Sequence, residues 1–203
     1  MPSGPIVGIV LAAGMSRRLG RPKQLVEIDG VPLVRIVAST CLQSSLEDVV
    51  VVTGHESEAI AGTLDDHPVG IVHNADYESG QASSLKAGVR TAIELGADAV
   101  VVVLADQPGI SSETIDRLIA ARRDSGSWIG MATYGEQRGH PVLFGHEVFV
   151  ELEGISGDQG GREVIKRYRQ RVVLVDGGRE QVPMDVDTEA DVLALSQSSL
   201  DQS

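Results

Sequence analysis

A short segment, Leu11-Ala12-Ala13-Gly14-Met15-Ser16-Arg17-Arg18-Leu19-Gly20-Arg21-Pro22-Lys23, carries the residue types that hold a polyanion. Gly14 and Gly20 let the backbone turn tightly and bring N–H groups close to a ligand. Four cations, Arg17, Arg18, Arg21 and Lys23, fall within seven positions of a chain with 17 Lys+Arg against 29 Asp+Glu, a formal net charge of -12. Cations gathered in one small-residue loop of an acidic protein point to a compact polyanion such as a nucleoside triphosphate. A P-loop needs G-x-x-x-x-G-K-[ST], but five residues separate Gly14 from Gly20 and Lys23 precedes Gln24. The G-x-G-x-x-G fingerprint of dinucleotide binders is also missing.

Two acidic positions complement the loop. Asp106 follows the apolar run Ala99–Leu104, and a carboxylate just beyond a buried strand can meet a hard cation while the strand holds it rigidly. Standing alone, it is equally an Asp that caps a turn. Asp185-Val186-Asp187-Thr188 places two carboxylates on one face of an extended segment, with either Asp185 or Asp187 available to a metal. Helix capping is the plain alternative. Paired with Asp106, this motif supplies two oxygens for an octahedral Mg²⁺, with phosphates and water filling the other positions.

Gly80-Gln81-Ala82-Ser83-Ser84-Leu85 opens a helix, where small residues allow close approach to a base or ribose or simply cap the helix. Arg138-Gly139-His140-Pro141 and Gly157-Asp158-Gln159-Gly160-Gly161-Arg162 are glycine-lined, mixed-charge stretches that could shape an acceptor pocket. The five histidines show no H-E-x-x-H spacing, which argues against a zinc hydrolase, and no Ser-His-Asp order with motif support is found.

These segments must be positioned by a scaffold, and its outline is an alternation of strand-like and helix-like stretches typical of a parallel α/β sheet. Ile6–Val10, Asp48–Thr53, Val69–His73, Ala99–Leu104, Trp128–Tyr134, Pro141–Phe144, Val172–Val175 and Val182–Val186 read as extended. Helical periods run through 31–42, 56–64, 83–95, the segment after Ser111-Ser112, and 161–168. Thr188 starts the last helix, with Asp191 three positions on as a variant capping box; residues 196–203 are expected to be a frayed, disordered tail. The 203 residues suit one domain, 1–203. In such a sheet ligands settle at the carboxyl ends of the strands, which gathers the chemistry-bearing loops along one edge.

Aromatics are only 3% of residues, which argues against stacking platforms for single-stranded nucleic acid. Acidity with no basic stripe outside the first loop argues against duplex binding. Cys41 is the lone cysteine and reads as a small buried hydrophobe. With no apolar run of membrane-spanning length and no signal-peptide pattern, a cytoplasmic location without membrane partners is expected.

Taken together, L-A-A-G-M-S-R-R-L-G-R-P-K, Gly80–Leu85, A-D-Q-P, R-G-H-P-V-L-F, G-D-Q-G-G-R and D-V-D-T resemble the molybdenum cofactor cytidylyltransferase family, within the MobA-like molybdopterin and sugar nucleotidyltransferases of the GT-A type. The match runs from about Ile6 to Leu195, departing where Glu189 replaces a usual proline and Gly161 a common alanine. The resemblance implies a three-layer α/β/α sandwich with a mostly parallel, Rossmann-like sheet. It implies CMP transfer from CTP to the terminal phosphate of molybdenum-molybdopterin, with Mg²⁺ as cofactor and an acceptor molybdoenzyme as a further candidate partner. Lys23 and Arg18, with Arg17 weaker, would face the triphosphate; the Leu11, Ala12, Ala13 and Gly14 backbone, Gly80 and Ser84 would surround the nucleotide. Asp106 and Asp187 would hold the metal, and Arg138, His140, Asp158 and Arg162 would be candidates for the acceptor. Ala13 agrees with the cytidylyl branch, since guanylyl relatives carry L-A-G-G. Guanylyl transfer, nucleotidyl transfer to a sugar or small-acid phosphate, and non-catalytic delivery of a cofactor remain the alternatives.

Overall fold

The computed structural model describes residues 4–16 and 19–200. Its centre is a seven-stranded sheet built from β1 (Ile6–Leu11), β4 (Asp48–Thr53), β5 (Gly70–His73), β6 (Ala99–Leu104), β7 (Ile129–Tyr134), β8 (Gln137–Gly145) and β9 (Val172–Asp176). The spatial order is β5-β4-β1-β6-β8-β7-β9, and β8 alone runs antiparallel to its neighbours. A two-stranded ribbon, β2 (Glu27–Ile28) and β3 (Val31–Pro32), stands apart. The helices are α1 (Leu33–Leu42), α2 (Ser57–Gly62), α3 (Gln81–Glu94), α4 (Ser112–Ser125), α5 (Phe149–Glu153), α6 (Arg162–Arg167) and α7 (Glu189–Leu200).

Continuous Val/Ile/Ala runs in β1, β4 and β6 are buried on both faces, as parallel strands covered by helices must be. Val101 and Val103 face one core with Val37 of α1, Ile60 of α2 and Leu118 of α4. Val100 and Val102 face the other with Val89 of α3, Leu152 of α5 and Val164 of α6. The result is three layers, α/β/α, as the period-two burial requires. Cys41 is fully buried in the first core, and burial pushes its thiol up to about 12.

Three differences from the sequence reading matter. Residues 182–186 join no ladder. Helix α7 runs through Leu200, so 196–200, expected as tail, are helical; 201–203 lie outside the described residues. The chain around β8 is extended from Gln137 rather than from Pro141. Because β8 runs opposite to β6, its first residues lie at the edge where the parallel strands end.

Candidate functional site

Along that edge the first loop is shaped by its own side chains. Ser16, at φ +50°, accepts from the Lys23 backbone N–H through its Oγ at 2.9 Å, and the buried Gln24 amide donates to the Gly14 carbonyl at 2.8 Å. Arg21 pairs with Glu189 of α7 through two 3.0 Å hydrogen bonds, so this cation, expected to serve a polyanion, holds the last helix. Arg17 and Arg18 lie outside the described residues.

The Lys23 ammonium donates to the Asp106 carboxylate, and to Asp187 at 3.2 Å. Burial pulls the Lys23 pKa down, but attraction and hydrogen bonding to the two carboxylates outweigh it, and the net shift is upward. Residues 83 and 164 positions away in sequence therefore converge on one cationic point. Asp106 is delivered by the end of β6. Asp187 is delivered by a strap, 182–188, in which the Val186 side chain is fully buried with Val26, Ile28 and Leu33. Val186 donates its backbone N–H to the Asp106 carbonyl at 2.9 Å.

Asp185 and Asp187, two carboxylates expected on one face with only one reaching a metal, meet different side chains. Asp185 accepts from the buried Gln107 amide at 2.5 Å, while Asp187 meets Lys23. Asp191 accepts from the backbone N–H groups of Asp187 and Thr188, and its own N–H donates to the Thr188 hydroxyl, the expected capping box.

Two cavities adjoin this point. One, of about 350 Å³, is lined by Ala13, Gly14, Lys23, Gly80, Ser84 and Asp106, among others. Gly80, at φ +110°, lies against the Gly157 backbone and the Asp158 carboxylate, where a Cβ would sit 2.6–2.7 Å from them. Asp158 thus belongs to this cavity, whereas the sequence reading grouped it with an acceptor pocket. Asn74, unremarked as a side chain in the sequence, donates to Ser83 and Ser84 at 2.8 and 3.0 Å and fixes the start of α3. Ala12 is packed in the core and its N–H donates to the Val52 carbonyl at 2.9 Å, whereas its neighbours Leu11, Ala13 and Gly14 stand on the cavity wall.

The second cavity, about 660 Å³, shares Leu11, Gln81 and Leu104 with the first. Arg138, His140 and Arg162 line it, joined by Lys166 and Arg169 over an apolar floor that includes Met131 and Phe144. Residues 162–171 hold five cations, a basic stretch that corrects the expectation of none beyond the first loop. The signal lay in the sequence, interleaved with Val164, Ile165 and Tyr168. His140 is placed through Nδ1, 3.3 Å from the Val102 carbonyl, and burial lowers its pKa against the opposing influence of that bond, Asp106 and Asp185. Tyr134 donates its hydroxyl to the His140 carbonyl at 2.6 Å.

Elsewhere, Ser39 lies 2.9 Å from His67, whose other nitrogen is 3.1 Å from Asp66, a Ser-His-Asp array the chain order did not suggest. Arg35 occupies both Asp66 oxygens at 2.6 Å, and none of the three lines either cavity, so the array ties α1 to the turn after α2.

Hard oxygen donors already gathered round a positive charge suit Mg²⁺ or Mn²⁺. Among the described residues no group of three or more His, Cys, Asp or Glu could hold a metal, so two protein carboxylates would need phosphate and water oxygens to complete a shell.

Residues 8–172 match the family model described as the MobA-like NTP transferase domain. The chain belongs to this family. The MobA-like chain is 34% identical over 192 residues to nicotine blue oxidoreductase of Paenarthrobacter nicotinovorans, covering 90% of this chain and 92% of that protein. It is 32% identical over 120 residues to the molybdenum cofactor guanylyltransferase of Rhodobacter capsulatus, covering 57% and 58%. The manganese complex of Rv0371C from Mycobacterium tuberculosis superposes with a TM-score of 0.76 at 28% identity, covering 96% of this chain and 99% of that one. The MobA-like fold here is a nucleotidyltransferase fold of GT-A type. No helix among its described residues is long and apolar enough to cross a membrane.

Proposed function

We propose that the protein is a divalent-metal-dependent cytidylyltransferase, moving CMP from CTP to the terminal phosphate of molybdenum-molybdopterin. The observation that carries this reading is the convergence of Lys23, Asp106 and Asp187 at the mouth of a small-residue cavity. An acceptor phosphate oxygen attacks the α-phosphorus, the bond to the bridging oxygen breaks, and pyrophosphate leaves with the electron pair. The attacking phosphate is already ionised, so positioning and charge neutralisation are what the site must supply. Ala13, Gly14, Gly80 and Ser84 line the place for the nucleoside, and Lys23, with Arg18 and Arg17, serves its phosphates. Asp106 and Asp187 would hold Mg²⁺, which when bound neutralises phosphate oxygens and polarises the phosphorus.

The second cavity suits the acceptor. Arg138, Arg162, Lys166 and Arg169 answer an anionic group, and the apolar floor answers a flat ring system. A cytoplasmic setting fits this reading, and a molybdoenzyme would receive the product.

The test is pyrophosphate release from each of four nucleoside triphosphates with purified molybdopterin cofactor and Mg²⁺. CTP-dependent release is expected, and Ala13→Gly should move the preference toward GTP. Release with GTP alone would make the protein a guanylyltransferase, the activity named for the Rhodobacter relative; release only with a sugar or small-acid phosphate would reassign the acceptor. Cofactor binding with no release would leave a delivery protein. The relative named nicotine blue oxidoreductase favours a second reading, and redox conversion of nicotine blue with no pyrophosphate release would replace the first.

A further inference from the structure

Lys23 occupies a position that conflicts with the metal role of its neighbours. Its ammonium donates to both Asp106 and Asp187, the same oxygens that would ligate a divalent ion. A dication entering between those carboxylates meets a positive charge already in contact with them, at a part-buried point where screening is weak.

We propose that Lys23 is a resident counter-ion that keeps divalent metal off the Asp106–Asp187 pair until a triphosphate draws the ammonium away. Metal and nucleotide then load together. The inference rests on the nucleotidyl-transfer reading of the same site.

The geometry separates what is fixed from what moves. The backbone is tied at both carboxylates: Asp106, two residues beyond β6, accepts at its carbonyl from the Val186 N–H, and Asp187 donates its own N–H to Asp191. The stem of Lys23 is anchored too, by its backbone N–H on the Ser16 hydroxyl. Beyond that tie, the four-carbon side chain is a flexible point charge that can swing. Lys23 also lines the small-residue cavity, so its amine can reach a phosphate there without backbone movement. A triphosphate offers more negative charge than two carboxylates and brings its own metal-binding oxygens. One arrival therefore removes the blocking cation and completes the metal shell.

The test follows Mn²⁺ binding by the loss of its free-ion electron paramagnetic resonance signal, using the full chain without acceptor. Lys23→Met is expected to bind Mn²⁺ alone about 10-fold more tightly than wild type, within the usual range of site-to-site coupling. A non-hydrolysable CTP analogue should tighten Mn²⁺ binding in wild type by a larger factor than in Lys23→Met. Lys23→Arg, which keeps the charge, should stay near wild type. Lys23→Gln is a second neutral variant should Lys23→Met fold poorly, as judged by circular dichroism.

Equal Mn²⁺ affinity in wild type and the neutral variants would overturn the counter-ion role. Adding Asp106→Asn to Lys23→Met separates that failure from failure of the catalytic reading. Loss of Mn²⁺ in the double variant keeps the metal at the carboxylates, whereas undiminished binding removes it from them and overturns both.

Discussion

The Val186 backbone N–H donates to the Asp106 carbonyl at 2.9 Å, binding the strap to the end of β6 and setting the spacing of the two carboxylates that meet Lys23. Val186 is held by burial rather than by a strand ladder, its side chain packed with Val26, Ile28 and Leu33. Val186→Ala removes two buried methyl groups, a loss of about 2 kcal/mol. Thermal unfolding should register that loss, and weaker Mn²⁺ binding in the presence of nucleotide should accompany it. Unchanged Mn²⁺ affinity would show that the strap does not position Asp187.

Lys23→Ala should reduce turnover by about 10²–10³-fold, the scale set by removing one charged group from a developing phosphate charge. Its far-ultraviolet circular dichroism should match wild type, because the side chain packs in neither of the two main cores. Asp106→Ala should abolish metal-dependent pyrophosphate release. Steady-state kinetics with CTP and cofactor check both.

Arg162 and Lys166 lie one turn apart on α6 and line the second cavity. Replacing either by alanine should raise KM for the acceptor about 10-fold and leave KM for the nucleotide unchanged. An equal rise in both constants would mean that the two cavities do not divide the substrates.

His140 has a depressed folded-state pKa, burial being the principal cause. Such a group takes up a proton more readily when unfolded, so its contribution to stability is intact above the unfolded value, 6.5, and is lost as pH falls through and below it. Acidification from about pH 7.5 to about pH 5.5 should therefore lower the melting temperature of wild type more than that of His140→Gln. Scanning calorimetry at the two pH values checks the difference.

The parallel half of the fold was legible because its strands are apolar on both faces. Asp48–Thr53 and Ala99–Leu104 were read with the bounds the structure has. Helix α3 starts at Gln81 rather than Ser83, because Gly80 at φ +110° turns the chain into the helix earlier. The mixed half was harder. Gln137 and Arg138 are polar and exposed, yet they pair with Tyr134 and Thr133 across a hairpin that a local reading takes for a loop. Helix α5 spans five residues, too few to show a period. Residues 182–186 have strand-like composition but pair with no strand among the described residues, and Val186 is held by a long-range hydrogen bond to Asp106.

At the site, residue types pointed to Lys23, Asp106 and one of Asp185 and Asp187, and the structure brings Lys23 within hydrogen-bond reach of Asp106 and Asp187. What linear spacing could not convey was pairing: Arg21 is engaged by Glu189, and Asp185 by Gln107. Gln24 and Asn74 escaped notice because a buried amide that braces a loop has no sequence signature of its own.

The placement of β8 between β6 and β7 divides the two cavities along the chain. One cavity draws mainly on chain before Gln107 and the other mainly on chain after it, with Leu11, Gln81 and Leu104 as their party wall. Substitutions in the β7–β8 hairpin and in α6 therefore reach the lining of the second cavity without touching that of the first. Each recess can be reshaped while the other keeps its walls.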